Sequence, residues 1–128
     1  MSQENVEIVR AMAAAYNRGD LDAMLEVYDP AVEFVTLLLG TRHGKDGLRR
    51  IYEENREALS GYRLDPDEVI DAGDKVVMVA RMGGTGRVSE IGLGDRIAFV
   101  VTFRNGLVVR QESFPSKDAA LEAAGLRE

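Results

Sequence analysis

Two side chains in this 128-residue sequence bear most directly on reaction chemistry, His43 and Arg81. His43 is the single histidine of the chain, and its ordinary pKa suits proton transfer near neutral pH. Arg81 lies in a strand-like run, where its planar fork of donors matches a carboxylate, phosphate or enolate bidentately. Together they would form a site in which histidine moves a proton and arginine stabilises the developing negative oxygen. Each also has a plainer reading. His43 immediately precedes Gly44 at a strand-to-helix corner, where a histidine is commonly a surface or capping residue. Arg81 can lie near a rim with its stem packed and its guanidinium in water or paired with Glu33 or Glu112.

Other motifs carry less. Asp65, Asp67 and Glu68 form an acidic run without further ligands for a metal, and it reads as solvated surface. Arg18-Gly19-Asp20 matches an adhesion tripeptide, but its glycine and aspartate are needed to end one helix and cap the next. Gly83-Gly84-Thr85-Gly86-Arg87 lacks the helix N-terminus that a phosphate loop requires, and reads as a hairpin turn. With no cysteine and one histidine, disulfides, thiolate sites and histidine-rich metal centres are excluded; no metal or cofactor is expected. A net charge of −6 argues against nucleic acid or anionic lipid as a partner. The N-terminus has no positive-then-apolar leader, and no run is long enough for a membrane span, so the expected location is cytoplasmic.

The elements that must hold these groups follow from spacing. Val6, Val9, Ala13 and Tyr16 recur at helical intervals, predicting a first helix from about Glu4 to Arg18. Gly19 ends it, Asp20 caps a second short helix with Leu21, Met24, Leu25 and Tyr28 inward, and Asp29-Pro30 stops that one. Val32 to Leu39 reads as a strand ending at Gly40, and Thr41 to Gly44 as a short strand or turn. A third helix, about Asp46 to Leu59, turns Leu48, Ile51 and Tyr52 inward, with charge pairs Asp46/Arg50, Arg49/Glu53 and Arg50/Glu54 outside. Tyr16, Tyr28 and Tyr52 thus sit on inner helix faces, as core residues that can reach a cavity.

From Tyr62 onward the period changes to that of strands. Tyr62 to Asp71 is a strand broken or edged at Pro66, Lys75 to Met82 a nearly continuous apolar strand, and Gly83 to Gly86 a turn. Val88 to Asp95 is ambiguous. Ile97 to Arg104 and Leu107 to Phe114 flank the hairpin turn Asn105-Gly106, and Ser116 caps a final helix running to Gly125. This order predicts one α+β domain over residues 1–128, with helices on one face of a curved sheet that wraps a pocket.

Five segments in this order resemble the SnoaL-like branch of the nuclear-transport-factor-2-like superfamily, which includes ketosteroid isomerase. They are Tyr16 to Asp22, Asp29 to Phe34, Gly44 to Arg50, Ile70 to Asp74, and Asn105 to Arg110. All are structural punctuation, so they specify a fold more than a reaction. The resemblance implies a cone of three helices on a strongly curved sheet, an apolar pocket at the wide end, and a homodimer formed through the outer face of the sheet. Carried over by position, the isomerase's tyrosine falls on Met12, its carboxylate base on Val35 or Thr36, and its protonated aspartic acid on Phe99. None of the three is retained, and two further pocket positions that are polar in some relatives fall on Ala13 and Phe99.

If Phe99 faces the pocket, strand alternation adds Val101 and Phe103, then Val77, Val79 and Arg81 on the neighbouring strand and Gln111 and Ser113 on the following one. A one-residue bulge at Gly83 would reverse the Arg81 assignment. The leading expectation is a homodimeric protein that binds a small, mainly apolar molecule, with an acidic or carbonyl end near Arg81 or Gln111. The rival is an isomerase, cyclase or dehydratase acting on a small hydrophobic carbonyl compound through His43 and Arg81. A third reading is a dimerisation or accessory module with a filled cone.

Overall fold

A computed structural model describes residues 2–36, 40–58, 60–85 and 96–126. The elements run α1 (Ser2–Asn17), α2 (Leu21–Leu25), β1 (Tyr28–Val35), β2 (Thr41–His43), α3 (Gly44–Ala58), β3 (Ser60–Ala72), β4 (Lys75–Thr85), β5 (Arg96–Arg104), β6 (Leu107–Phe114) and α4 (Lys117–Ala123). The strands form a six-stranded mixed sheet in the order β2-β1-β6-β5-β4-β3. Only β1 and β6 pair in parallel among these neighbours, which brings the start and end of the chain's β structure together one strand in from the β2 edge.

Local chemistry accounts for the N-terminal corner. Gly19, at φ 85°, takes the left-handed turn while its N–H and that of Asp20 close back on the Tyr16 and Ala15 carbonyls of α1. Asp20 then accepts from Ala23 N at 3.1 Å and starts α2. At the opposite end of the sequence, Asn105 and Gly106 both hold positive φ between β5 and β6, the geometry of a two-residue hairpin.

The sheet has two covered faces. Inward, Val32, Phe34, Val76, Met78, Phe99 and Val101 pack with Val9 and Met12 of α1, Met24 of α2, and Leu48 and Ile51 of α3. Outward, Val77, Val79, Ala98 and Val100 pack under Ala120 of α4, with Ile70, Phe114 and Leu121 at the margin. The architecture is therefore α+β, with three helices of the N-terminal half on a curled sheet and a short C-terminal helix behind it.

Several boundaries differ from those predicted by spacing. α2 stops at Leu25, and Tyr28 opens β1 rather than completing a helical stripe. Pro30, expected to precede the strand, lies inside β1, where the β1–β6 register shifts between Tyr28 and Glu33 and so spares the missing N–H. β1 ends at Val35, and the predicted continuation through Leu37 to Leu39 falls outside the described residues. β4 continues through Gly83 and Gly84 to Thr85, where a turn was expected; Gly86, Arg87 and the ambiguous Val88–Asp95 stretch also fall outside the described residues. β3 is an edge strand with a register shift between Pro66 and Glu68, as a proline-bearing strand requires.

Candidate functional site

The interior of the curl contains one polar cluster in an apolar setting. Tyr28, the first residue of β1, and Gln111, in the middle of β6, are both fully buried. The Tyr28 hydroxyl lies 2.6 Å from Gln111 Oε1 and 2.8 Å from Met12 Sδ. It has one proton to give, and the amide oxygen is the better acceptor. That bond turns Gln111 Nε2 away from Tyr28 and leaves it, shielded from water, beside the Tyr52 hydroxyl without a hydrogen bond of normal geometry to the described residues.

Aromatic rings surround this amide. Tyr52 of α3 lies 4.6 Å from Tyr16 of α1 between ring centroids, tilted by 49°, and 6.3 Å from Phe34 of β1. Phe99, Val101, Phe103 and Ser113 are buried, with Val101 opposite Gln111 and Phe99 opposite Ser113 in the β5–β6 ladder. Burial pushes the Tyr52 phenol up to about 12. Tyr28 and the nearby Gln111 amide pull it partly back. Burial, followed by the Tyr52 charge and hydrogen bond, holds Tyr28 well above the ordinary phenol value. Both phenols are therefore neutral at physiological pH and act as hydrogen-bonding groups rather than bases.

Besides the tyrosine hydroxyls, Gln111 and Ser113 are the only polar or charged side chains buried among the described residues. The described interior thus offers neutral donors and acceptors, with no carboxylate, imidazole or cation to move a proton or hold a full charge. Nor is there, among the described residues, a group of three or more histidine and acidic side chains placed to hold a metal ion. No described helix is long and apolar enough to cross a membrane.

The structure divides the expected site residues between two faces. Met12, Tyr16, Tyr28, Tyr52, Phe99, Val101, Phe103, Gln111 and Ser113 are buried, and all but Gln111 and Ser113 belong to the inner apolar core that surrounds those two. Val35 alternates against Phe34 and is half-buried on the opposite face, while Thr36 follows the strand with its hydroxyl donating to the Gly40 carbonyl at 2.7 Å. Val79 and Arg81 are corrections. In the β4–β5 ladder Met78 stands opposite Phe99, so the inward residues of β4 are Val76, Met78 and Ala80, and the odd-numbered ones face outward. Val79 packs under α4 instead.

Arg81 is exposed outside the curl, 3.6 Å from Asp67, which also lies 3.2 Å from Arg96. Its expected partners Glu33 and Glu112 are both taken by Arg110. His43 is exposed on the edge strand β2, opposite Glu33, which alternates outward against Val32 and Phe34. Four strand steps separate β2 from β4, roughly 19 Å at the usual spacing, so His43 and Arg81 do not converge on one substrate.

Two features escaped the sequence reading. Asn17, inside the helix-end segment, uses its amide like a strand backbone: Nδ2 donates to the Leu64 carbonyl at 2.9 Å and Oδ1 accepts from Leu64 N at 2.8 Å. This pins the end of α1 to β3. Beside it, Arg10, Ala14 and Asn17 of α1, with Arg18 just past its end, face Arg63 and Pro66 of β3 across an open groove of about 460 Å³. An asparagine after a helix face, and arginines at i and i+8, are too common in sequence to single out.

A SnoaL-like domain family model matches residues 9–111, and the chain belongs to that family. Solved structures agree on the fold. An NTF2-like protein from Burkholderia thailandensis E264 is 29% identical, with a TM-score of 0.73 over 94% of this chain and 95% of that one. TerC, crystallised with polyporic acid, is 27% identical, with a TM-score of 0.71 over 95% of this chain and 98% of that one. A protein with a ketosteroid-isomerase-like fold from Catenulispora acidiphila DSM 44928, solved with trimethylamine, is 21% identical, with a TM-score of 0.72 and 94% of each chain covered. No curated protein matches the chain.

Proposed function

We propose that this SnoaL-like protein binds a small, mainly apolar molecule inside the curl of its sheet and orients it by one hydrogen bond from Gln111 Nε2 to a neutral ligand oxygen. The observation that carries this reading is the fully buried Nε2, which makes no hydrogen bond of normal geometry to the described residues although the Tyr52 hydroxyl lies beside it among aromatic and aliphatic side chains. A buried donor without an acceptor costs about 1–3 kcal/mol, and a ligand carbonyl or hydroxyl would recover that cost on binding. A carboxylate is a poorer fit, since no buried cation among the described residues would offset its desolvation. That TerC was crystallised with polyporic acid supports the view that folds of this kind admit small organic molecules.

The enzymatic reading built on His43 and Arg81 lacks a shared site, because both lie outside the curl on well-separated strands. We further propose that the protein is a homodimer joined through the part of the outer face that α4 leaves open, around β1 and β6. Sedimentation giving a monomer at micromolar concentration would reject the dimer.

Binding is tested by native mass spectrometry and dye displacement against apolar ketones and phenols. Gln111→Leu should weaken a hit by about tenfold, the value of one buried hydrogen bond. Arg81→Gln and His43→Gln should leave it unchanged. Failure of every compound at millimolar concentration, with a filled interior in a crystal structure, would reject the reading in favour of an accessory module.

A further inference from the structure

The groove between α1 and β3 is outside the buried Tyr28–Gln111 cluster and shares no residue with it. Its chemistry is also opposite. Although the chain carries a net charge of −6, the groove is bordered by three guanidinium groups, Arg10, Arg18 and Arg63. Arg18 follows directly on the last turn of α1, its N–H on the Ala14 carbonyl, eight residues after Arg10 and about 12 Å further along the helix axis, with Ala14 between them. Because Ala14 has only a methyl group, it leaves room between the two longer side chains. Pro66 supplies apolar surface on the strand side.

Arg63 is held in place. Its Nε and Nη2 donate to Asp65 at 3.3 and 2.9 Å, and Asp65 Oδ1 also accepts from Asn17 Nδ2 at 3.2 Å. Asn17 is in turn fixed to the Leu64 backbone. A guanidinium has five donors, so this arrangement orients Arg63 while leaving Nη1 able to bind another acceptor. Among the described residues Arg18 makes a long contact with Asp20, 3.7 Å between exposed side chains, and such a pair is easily exchanged for a better anion. The two carboxylates do not balance the three arginines, which leaves the groove positive in an otherwise acidic protein.

We propose that the α1–β3 groove is a second binding site, which takes a small organic anion: a carboxylate or phosphate group on Arg10, Arg18 and Arg63, with an apolar body over Ala14 and Pro66. The volume of about 460 Å³ suits a ligand the size of a substituted aromatic ring. Charge-assisted bonds from arginine supply the affinity, and water competes at the open side, so binding weakens as salt rises.

The full chain is titrated separately with phenyl phosphate and benzoate, followed by heteronuclear NMR at the backbone amides of α1 and β3 and by calorimetry. Benzyl alcohol serves as the uncharged control. Saturable shifts around Arg10, Asn17 and Arg63 with at least one anion and not the alcohol are expected, and the stronger anion distinguishes phosphate from carboxylate. Arg10→Gln and Arg63→Gln should each weaken that anion by about tenfold, the loss of one charge-assisted hydrogen bond. Arg81→Gln, outside the groove, and Gln111→Leu, inside the curl, should leave it unchanged. Both arginine variants alter exposed side chains, and thermal melts establish that each is folded. Absence of saturable shifts with both anions, equal response to benzyl alcohol, or unchanged affinity in both arginine variants would overturn the proposal, whatever the interior binds.

Discussion

The hydroxyl of Tyr28 and the amide oxygen of Gln111, 83 residues apart in sequence, lie 2.6 Å from each other in the fully buried interior. This contact ties the first residue of β1 to the middle of β6, the parallel pair of the sheet. It also decides the chemistry of the interior, since engaging Oε1 leaves Nε2 as the amide's remaining hydrogen-bonding group.

Removing the second partner should therefore cost less than removing the first. Tyr28→Phe strands a buried amide oxygen, and Gln111→Leu leaves the hydroxyl with the Met12 sulfur and Tyr52. Each change should destabilise the fold by about 1–3 kcal/mol. In the double variant the second loss should be smaller than the first, giving a coupling of at least about 0.5 kcal/mol. Urea unfolding of the four proteins measures this, and strict additivity would show that the contact contributes nothing.

The raised phenol values make a second, independent forecast. Unfolded tyrosines ionise near 10, whereas Tyr52 resists until about 12 and Tyr28 is also shifted upward. Between these values the unfolded chain binds fewer protons than the native one, so stability falls as pH rises. Below about pH 9 the two phenols should contribute almost no slope. Denaturant midpoints at pH 8, 9 and 11 should be nearly level across the first interval and fall across the second. Tyr52→Phe should flatten part of that fall.

Both the legible and the illegible parts of this chain have physical causes. Gly19, Asp20, Asn105 and Gly106 announce their turns because local backbone geometry selects those residue types wherever they occur. Tyr28 misleads because it fits the helical spacing after Met24 and Leu25, yet its partner Gln111 lies far away in sequence. The inward set on β5 was readable, but the parity of β4 depends on how many residues the β4–β5 connection consumes. Glycines at 83, 84, 86, 92 and 94 do not fix that number. One residue of register carried Arg81 from the expected pocket to the outer surface. The Tyr28–Gln111 pair needed that same tertiary information, although both residues were already recognisable as pocket candidates.

Asn17 offers a test of how α1 is positioned over the sheet. Its amide makes a donor and an acceptor contact with the same residue of β3, at 2.9 and 2.8 Å. Asn17→Ala would leave both backbone groups of Leu64 without those partners, at about 1–3 kcal/mol. Asn17→Asp keeps the acceptor but sets a second carboxylate beside Asp65, so it should be no better. Hydrogen exchange at the Leu64 amide should accelerate in the alanine variant relative to its neighbours on β4. Unchanged protection would mean that the strand holds α1 without the clamp.

The outer face can be separated from the inner one by a single substitution in α4. Ala120 is fully buried against Val77, Val79, Ala98 and Val100, none of which contributes to the inner core. Ala120→Asp places a charge in that seam with no buried cation nearby among the described residues. The helix can escape the penalty by peeling away, so the cost is limited to what its docking contributes, about 2–4 kcal/mol for the apolar surface of Leu121 and its small neighbours. Limited proteolysis should then cleave near Lys117, while the near-ultraviolet signal of the buried tyrosines persists and a ligand held by Gln111 still binds. Loss of both signals together would mean that the two faces of the sheet unfold as one unit, and that α4 is required for the interior to exist at all.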